Sequence, residues 1–209
     1  MCGQRFFMNS FTKLTAIAAP LDMANIDTDK IIPARFLRKL RGPGYEKLAF
    51  HDIRYDADGN ERSDFVLNQA PYRKAKILVA GANFGCGSSR EAAVYVLHDY
   101  GIRAVIAPSF GDIHYGNELQ NGMLPVVLPD ATCQKLREQL RDDPGAQIGV
   151  DLEAQTVTGP DGAKYRFDIE PPHKERLLKG LDDIGLVMQN IEAIEGFEER
   201  HHGELPWLA

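Results

Sequence analysis

Residues able to do chemistry are concentrated in one run, Gly81-Ala82-Asn83-Phe84-Gly85-Cys86-Gly87-Ser88-Ser89-Arg90-Glu91. Its glycines let the backbone come close to a ligand, and the helix expected to follow points free N–H groups at it. Such a nest suits an anion. Two nucleotide-binding patterns do not fit. A phosphate-binding P-loop needs Gly-Lys-Ser/Thr, whereas Gly87 is followed directly by Ser88 and Ser89. A dinucleotide fingerprint needs a third small residue where Arg90 stands. It also needs a carboxylate at the end of the next strand, where the chain has Pro108 and Ser109.

Ser88 carries two readings that do not exclude each other. Ser88 and Glu91 have the S-x-x-E spacing of a capping box at a helix start. Backbone N–H groups donating to the Ser88 oxygen, with Arg90 close by, would also stabilise its alkoxide and suit it to act as a general base. Arg90 offers a planar fork that fits a carboxylate, or else a solvated charge at the helix start.

Metal chemistry has few candidates. Cys2, Cys86 and Cys133 are widely scattered with no C-x-x-C pair, so each reads as a reduced thiol, with a packing role for Cys86. An iron–sulfur cluster would need thiolates from another chain. The six histidines show no metal-ligand spacing, and His201-His202 lies in a charged tail.

The elements that must position this run can be read around it. Lys76 to Ala80 forms a buried strand, the glycine-rich loop follows, and Ser89 to Tyr100 has apolar residues at helical spacing, with Gly101 as its C-cap. Ala104 to Ala107 is a second buried strand, so a right-handed βαβ unit with a parallel pair is expected. Before it, Leu14 to Ala18 reads as a strand ended by Pro20, Arg35 to Arg41 as a short helix, and His51 to Ala70 as a polar loop. After it come a helix over Asp112 to Gln120, a strand over Pro125 to Leu128 and a helix over Ala131 to Leu140. Short strands over Val150 to Glu153, Gln155 to Thr158 and Lys164 to Ile169 suggest an antiparallel accessory sheet, and helical character returns after Pro172. The tail from Glu195 is expected to fray. The fold class is α/β.

Bulk properties narrow the function. The chain has 209 residues, 44% of them hydrophobic and 26% charged, with a formal net charge of −6 spread along its length. That supports one globular domain with its own core. There is no basic stripe to bind nucleic acid, and no apolar run approaches the roughly 20 residues that cross a membrane. The run Phe6-Phe7-Met8 is too brief for a signal peptide, so a cytoplasmic protein is expected.

Several motifs together resemble one family. Gly85-Cys86-Gly87-Ser88-Ser89-Arg90-Glu91 resembles the Gly-x-Gly-Ser-Ser-Arg-Glu motif of the swivelling domain of the aconitase superfamily. Asn25-Ile26-Asp27-Thr28-Asp29-Lys30-Ile31-Ile32-Pro33 is similar to the entry motif of isopropylmalate dehydratase small subunits. Ala107-Pro108-Ser109-Phe110, Tyr115-Gly116-Asn117, Leu124-Pro125 and Gly180-Leu181-Asp182-Asp183-Ile184-Gly185-Leu186 follow in the family's order. The similarity suggests an extension over residues 1–11, a swivelling domain over 12–195 and a charged tail over 196–209.

The resemblance implies a β/β/α swivelling domain with no cofactor of its own, closing over a large subunit that bears a 4Fe–4S cluster. It implies a hydro-lyase acting on a small 2-hydroxy diacid, interconverting 2- and 3-isopropylmalate in leucine biosynthesis. Ser88 would be the base, Ser89 and Arg90 would bind a substrate carboxylate, and Gly85 and Gly87 would shape the loop. Asp29 would orient an active-site loop or a basic group, or cap a turn. Two departures bear on the substrate. Ala92 stands where the family motif continues with His, and Lys39 to Tyr45 replaces a Thr-Arg-Thr-Gly-type loop that contacts the substrate's variable group. Leu40, Pro43 and Tyr45 would suit an isopropyl group, while Arg41 could bind a further carboxylate. Methylmalate/citraconate, dimethylmalate and homoaconitate-like acids therefore stand as alternative substrates. A non-catalytic anion-binding module is a further alternative, opposed by the presence of Ser88, Ser89 and Arg90 together.

Overall fold

The computed structural model describes residues 9–205 and Trp207; Cys2, most of the 1–11 extension and the end of the tail lie outside the described residues. The chain begins with β1 (Lys13–Leu21) and two short helices, α1 (Thr28–Ile31) and α2 (His51–Arg54). Next come β2 (Ile77–Ala80), α3 (Glu91–Tyr100), β3 (Ala104–Ala107), α4 (Asp112–Gln120), β4 (Leu124–Val127) and α5 (Asp130–Asp142). Three short strands follow, β5 (Gln147–Asp151), β6 (Thr156–Thr158) and β7 (Lys164–Arg166). The chain closes with α6 (Pro171–Lys179), α7 (Asp183–Met188) and α8 (Ile191–Glu204).

The strands form one mixed sheet in the order β4-β3-β2-β1-β5-β6-β7. β1 to β4 are parallel, and β5 to β7 are antiparallel. The expected α/β class and βαβ unit are present. The antiparallel strands are joined to the parallel ones through β1, which pairs with β2 on one edge and β5 on the other. All residues of β2 and β3 are buried, as expected of parallel strands covered on both faces. Their side chains alternate between two cores. Leu78, Ala80 and Val105 share one with α3 residues Ala93, Val96 and Leu97. Ile77, Val79 and Ile106 share the other with α5 residues Cys133, Leu136 and Leu140.

Several expectations are corrected. Pro20 does not end β1 but sits inside it, paired with Val79 of β2. β5 reaches only as far as Ile17, so on that side no ladder partner needs the N–H that proline lacks. The segment from His51 to Ala70 is an exposed polar loop over 56–64, as expected, but its two ends are packed. Phe65 and Leu67 are buried, and Asn68 binds Arg54 and the carbonyls of Arg54 and Arg62. Arg35 to Arg41 is not a helix beyond a single 3-10 turn over Ala34–Phe36. The tail is not frayed through Glu204, since α8 runs across position 195, although none of its residues is buried.

Candidate functional site

Three parallel strands release their chains at the same edge of the sheet, and those connections build the site. β1 leads into the Asn25–Pro33 segment, β2 into the glycine-rich loop, and β3 into Pro108–Gly111. The carboxyl ends of parallel strands are where open α/β sheets bind ligands. The glycine-rich loop is gripped from both sides. Gly85 N–H donates to the Ile26 carbonyl at 2.7 Å, and Thr28 N–H donates to the Cys86 carbonyl at 2.9 Å. On the other side Phe84 N–H donates to the Ser109 carbonyl at 3.0 Å, and Gly111 N–H donates to the Phe84 carbonyl at 2.8 Å. Asn83 ties the three segments together: its N–H donates to Ser109 Oγ at 2.9 Å, and its side-chain amide donates to Asn25 Oδ1 at 2.8 Å. Asn83 and Asn25 both have positive φ, which asparagine tolerates better than most side chains.

Gly85 and Gly87 make this path possible. Both have positive φ, +70° and +93°. At Gly85 a β-carbon would also collide with the His114 ring, 2.1 Å from Cγ. The loop delivers Ser88 and Ser89 to the surface, where both are exposed. The capping box is not formed. The helix starts at Glu91, its N-cap is Arg90 with no side-chain cap, and the Glu91 carboxylate instead accepts from the Asn121 amide at 3.0 Å. Cys86 is a free, half-buried thiol.

Arg90 is held from the entry segment. Its guanidinium forms an ion pair with Asp29, whose carboxylate also accepts from Ala34 N–H at 3.2 Å. The Arg90 side chain is 16% exposed and that of Asp29 57%. The arginine is thus the shielded member, anchored by an acid at the rim. The Arg90 guanidinium beside Asp29 holds its carboxyl below the usual carboxylate range. The structure therefore brings Asp29, Gly85, Gly87 and Arg90 together, with Ser88 and Ser89 beside them.

Arg41 lies apart from this group. Its fork is filled by Asp99, with Nε at 2.8 Å and Nη2 at 2.5 Å from the two oxygens, and its guanidinium stacks over Tyr95. Asp99 is near the far end of α3, roughly 13 Å along the helix from Arg90 at 1.5 Å per residue. In the same loop Leu40 is 89% exposed, whereas Tyr45 is buried in the core rather than facing outward. A cleft of about 550 Å³ lies elsewhere, between Leu21, Ile53, Phe65 and Arg141; none of Asp29, Arg41, Ser88, Ser89 or Arg90 lines it.

The sequence alone does not single out His114 and Glu118, a buried pair directly under the loop. Their i, i+4 spacing on an expected helix is the available signal. Among the described residues, no group of three or more His, Cys, Asp or Glu side chains converges as a metal site would require. No described helix is long and apolar enough to cross a membrane.

Comparison with known proteins places the chain. Residues 8–131 match the pattern of the Aconitase C-terminal domain, and residues 183–209 match that of the C-terminal domain of the 3-isopropylmalate dehydratase small subunit. Residues 134–171 match a further pattern described as LeuD_N. The 3-isopropylmalate dehydratase small subunit of Roseobacter denitrificans is 52% identical over 201 residues, 96% of this chain and 100% of the relative. That of Gluconacetobacter diazotrophicus is 53% identical over 200 residues, covering 96% and 97%. The crystal structure of a 3-isopropylmalate dehydratase from Methanocaldococcus jannaschii shares the fold, with a TM-score of 0.62 and 24% identity over 89% of this chain and 99% of that one. Half of all residues shared over nearly the full length of both partners is far more than a common fold requires, and the chain belongs to the 3-isopropylmalate dehydratase small-subunit family within the aconitase superfamily.

Proposed function

We propose that this chain is the small subunit of a 3-isopropylmalate dehydratase, interconverting 2- and 3-isopropylmalate by dehydration and rehydration in leucine biosynthesis. The observation that carries this reading is the exposed Ser88-Ser89 pair beside an Arg90 held by Asp29, in a chain half identical to such subunits. The 4Fe–4S cluster that the family resemblance implies, which would act as a Lewis acid on the substrate hydroxyl, belongs on this reading to the large subunit. The complex works in the cytoplasm.

The residues here have a defined share of the chemistry. Arg90 presents its remaining N–H groups to a substrate carboxylate, and the first turn of α3 adds unpaired backbone N–H groups of the same polarity. Ser89 donates a hydrogen bond to the same carboxylate. Ser88, delivered by the glycine turn, takes the carbon-bound proton as water leaves and returns it on rehydration. Arg41, the cation the sequence offers for a third carboxylate in a homoaconitate-like acid, lies apart from the site and has its fork filled by Asp99. That weakens the tricarboxylate alternative and leaves isopropylmalate as the preferred substrate.

The test is a substrate panel on this chain assembled with its large subunit. Catalytic efficiency on isopropylmalate should exceed that on citramalate-type acids and homoaconitate, and Arg41→Ala should leave that order unchanged. A wild-type preference for the tricarboxylate that disappears in Arg41→Ala would overturn the substrate assignment.

A further inference from the structure

Beneath the loop that delivers Ser88 lies a polar pair for which the proposed chemistry has no use. His114, in the first turn of α4, is 2% exposed, and Glu118, one turn later, is 0% exposed. His114 Nε2 stands 3.0 Å from Glu118 Oε1. That is ion-pair distance, and no hydrogen bond reaches His114 Nδ1 or Glu118 Oε2. Burial pushes the Glu118 carboxyl up, against the pull of His114. An apolar pair of the same volume would be cheaper to bury, so a stability role alone does not account for these two residues.

Their position suggests what they do. The Gly85 backbone rests directly on the imidazole; a β-carbon there would come within 2.1 Å of Cγ and 2.2 Å of Cδ2. Phe84 meets the same ring edge-on, with centroids 5.4 Å apart. Ile26 and Ser109 hold the loop laterally through its backbone, and His114 supports it from below. From Gly85 the chain passes to Ser88 held at the Cys86 carbonyl by Thr28 N–H, and among the described residues no side-chain hydrogen bond fixes Gly87 or Ser88. Arg90 differs, because Asp29 pins it independently. A turn of the imidazole would therefore shift Ser88 more than Arg90, and Glu118 is the group placed to prevent that turn.

We propose that His114, oriented by Glu118, is a positioning residue that fixes the height of the Gly85–Ser88 turn and so the reach of the Ser88 hydroxyl. The inference rests on the reading of Ser88 as the proton-handling group.

Three variants of the full chain test it: Glu118→Gln, Glu118→Leu and the double variant His114→Phe with Glu118→Leu. In the free chain, amide exchange at Gly85 should accelerate by about tenfold in Glu118→Leu while α5 is unchanged. In the complex with the large subunit, kcat of Glu118→Leu should fall by about tenfold or more, with KM within about twofold. Glu118→Gln, which keeps the shape and a hydrogen-bonding group, should recover most of both losses. The double variant separates positioning from packing, because it fills the same space with apolar groups. It should melt no lower than wild type and still turn over slowly. Wild-type kcat in the double variant, or unchanged Gly85 exchange in Glu118→Leu, overturns the proposal. A wild-type complex that forms but does not convert isopropylmalate would overturn the substrate reading instead, and the exchange measurement would still decide this one.

Discussion

Asp29 does two things at the residue scale: it accepts the Ala34 N–H that closes the turn after α1, and it pairs with Arg90. Asp29→Asn can keep the first contact and lose the second. Because the pair is exposed on the Asp29 side, stability should change by less than about 1 kcal/mol. With Arg90 binding a substrate carboxylate as proposed, the effect should instead appear as a KM a few-fold higher. The pH dependence follows from the sign of the shift. The carboxyl is held below its ordinary range, so the pair is intact at neutral pH and is lost only as pH falls through that lowered value. KM should thus rise in acid for the wild type and respond less in Asp29→Asn. Ser88 offers a cleaner separation than its sequence suggests. Ser-x-x-Glu spacing cannot tell a cap from a catalytic serine, because Asn121 on the neighbouring turn decides where Glu91 points. With no cap to lose, Ser88→Ala should leave the melting temperature unchanged while lowering turnover by about two to four orders of magnitude.

At the scale of elements, the legible parts are those whose physics is local. β2 and β3 are short apolar runs buried on both faces, and α4 carries helical periodicity from Asp112 to Gln120; all three lie where periodicity places them. Pro20 misleads because strand breaking by proline depends on which edge is paired, which one strand's sequence does not reveal. α8 escapes detection because its apolar stripe, Ile191, Ile194 and Phe197, is short, set among charges and buries none of its residues. The contact of Gly85 with His114 is invisible for a similar reason, being made between two different crossovers of the sheet. Gly85→Ala should destabilise the chain by about 1–3 kcal/mol, through overpacking against the ring, as chemical denaturation would measure. Cys133 tests the second core. It is buried on the inner face of α5, and burial pushes its thiol up to about 11. It should react with a thiol reagent at mildly alkaline pH only as fast as the chain unfolds, whereas half-buried Cys86 should react in the native state.

At the scale of the whole molecule, β1 decides the architecture. It is parallel to β2 and antiparallel to β5, so one strand joins the part of the sheet that bears the candidate site to the part that extends it. The motif residues emerge on the parallel side, at an exposed rim rather than inside the 550 Å³ cleft. On the proposed function the large subunit that the small-subunit family implies closes over this rim. The central claim is that this chain supplies the proton-handling serine to a reaction whose iron lies in another chain. It is tested most directly by mixing the purified chain with the cluster-loaded large subunit and following formation of the alkene from 3-isopropylmalate. The account predicts turnover only when both subunits are present, reduced at least about a hundredfold when Ser88→Ala is introduced into the small one. Turnover by either subunit alone at the rate of the mixture, or a Ser88→Ala complex as fast as wild type, would contradict it.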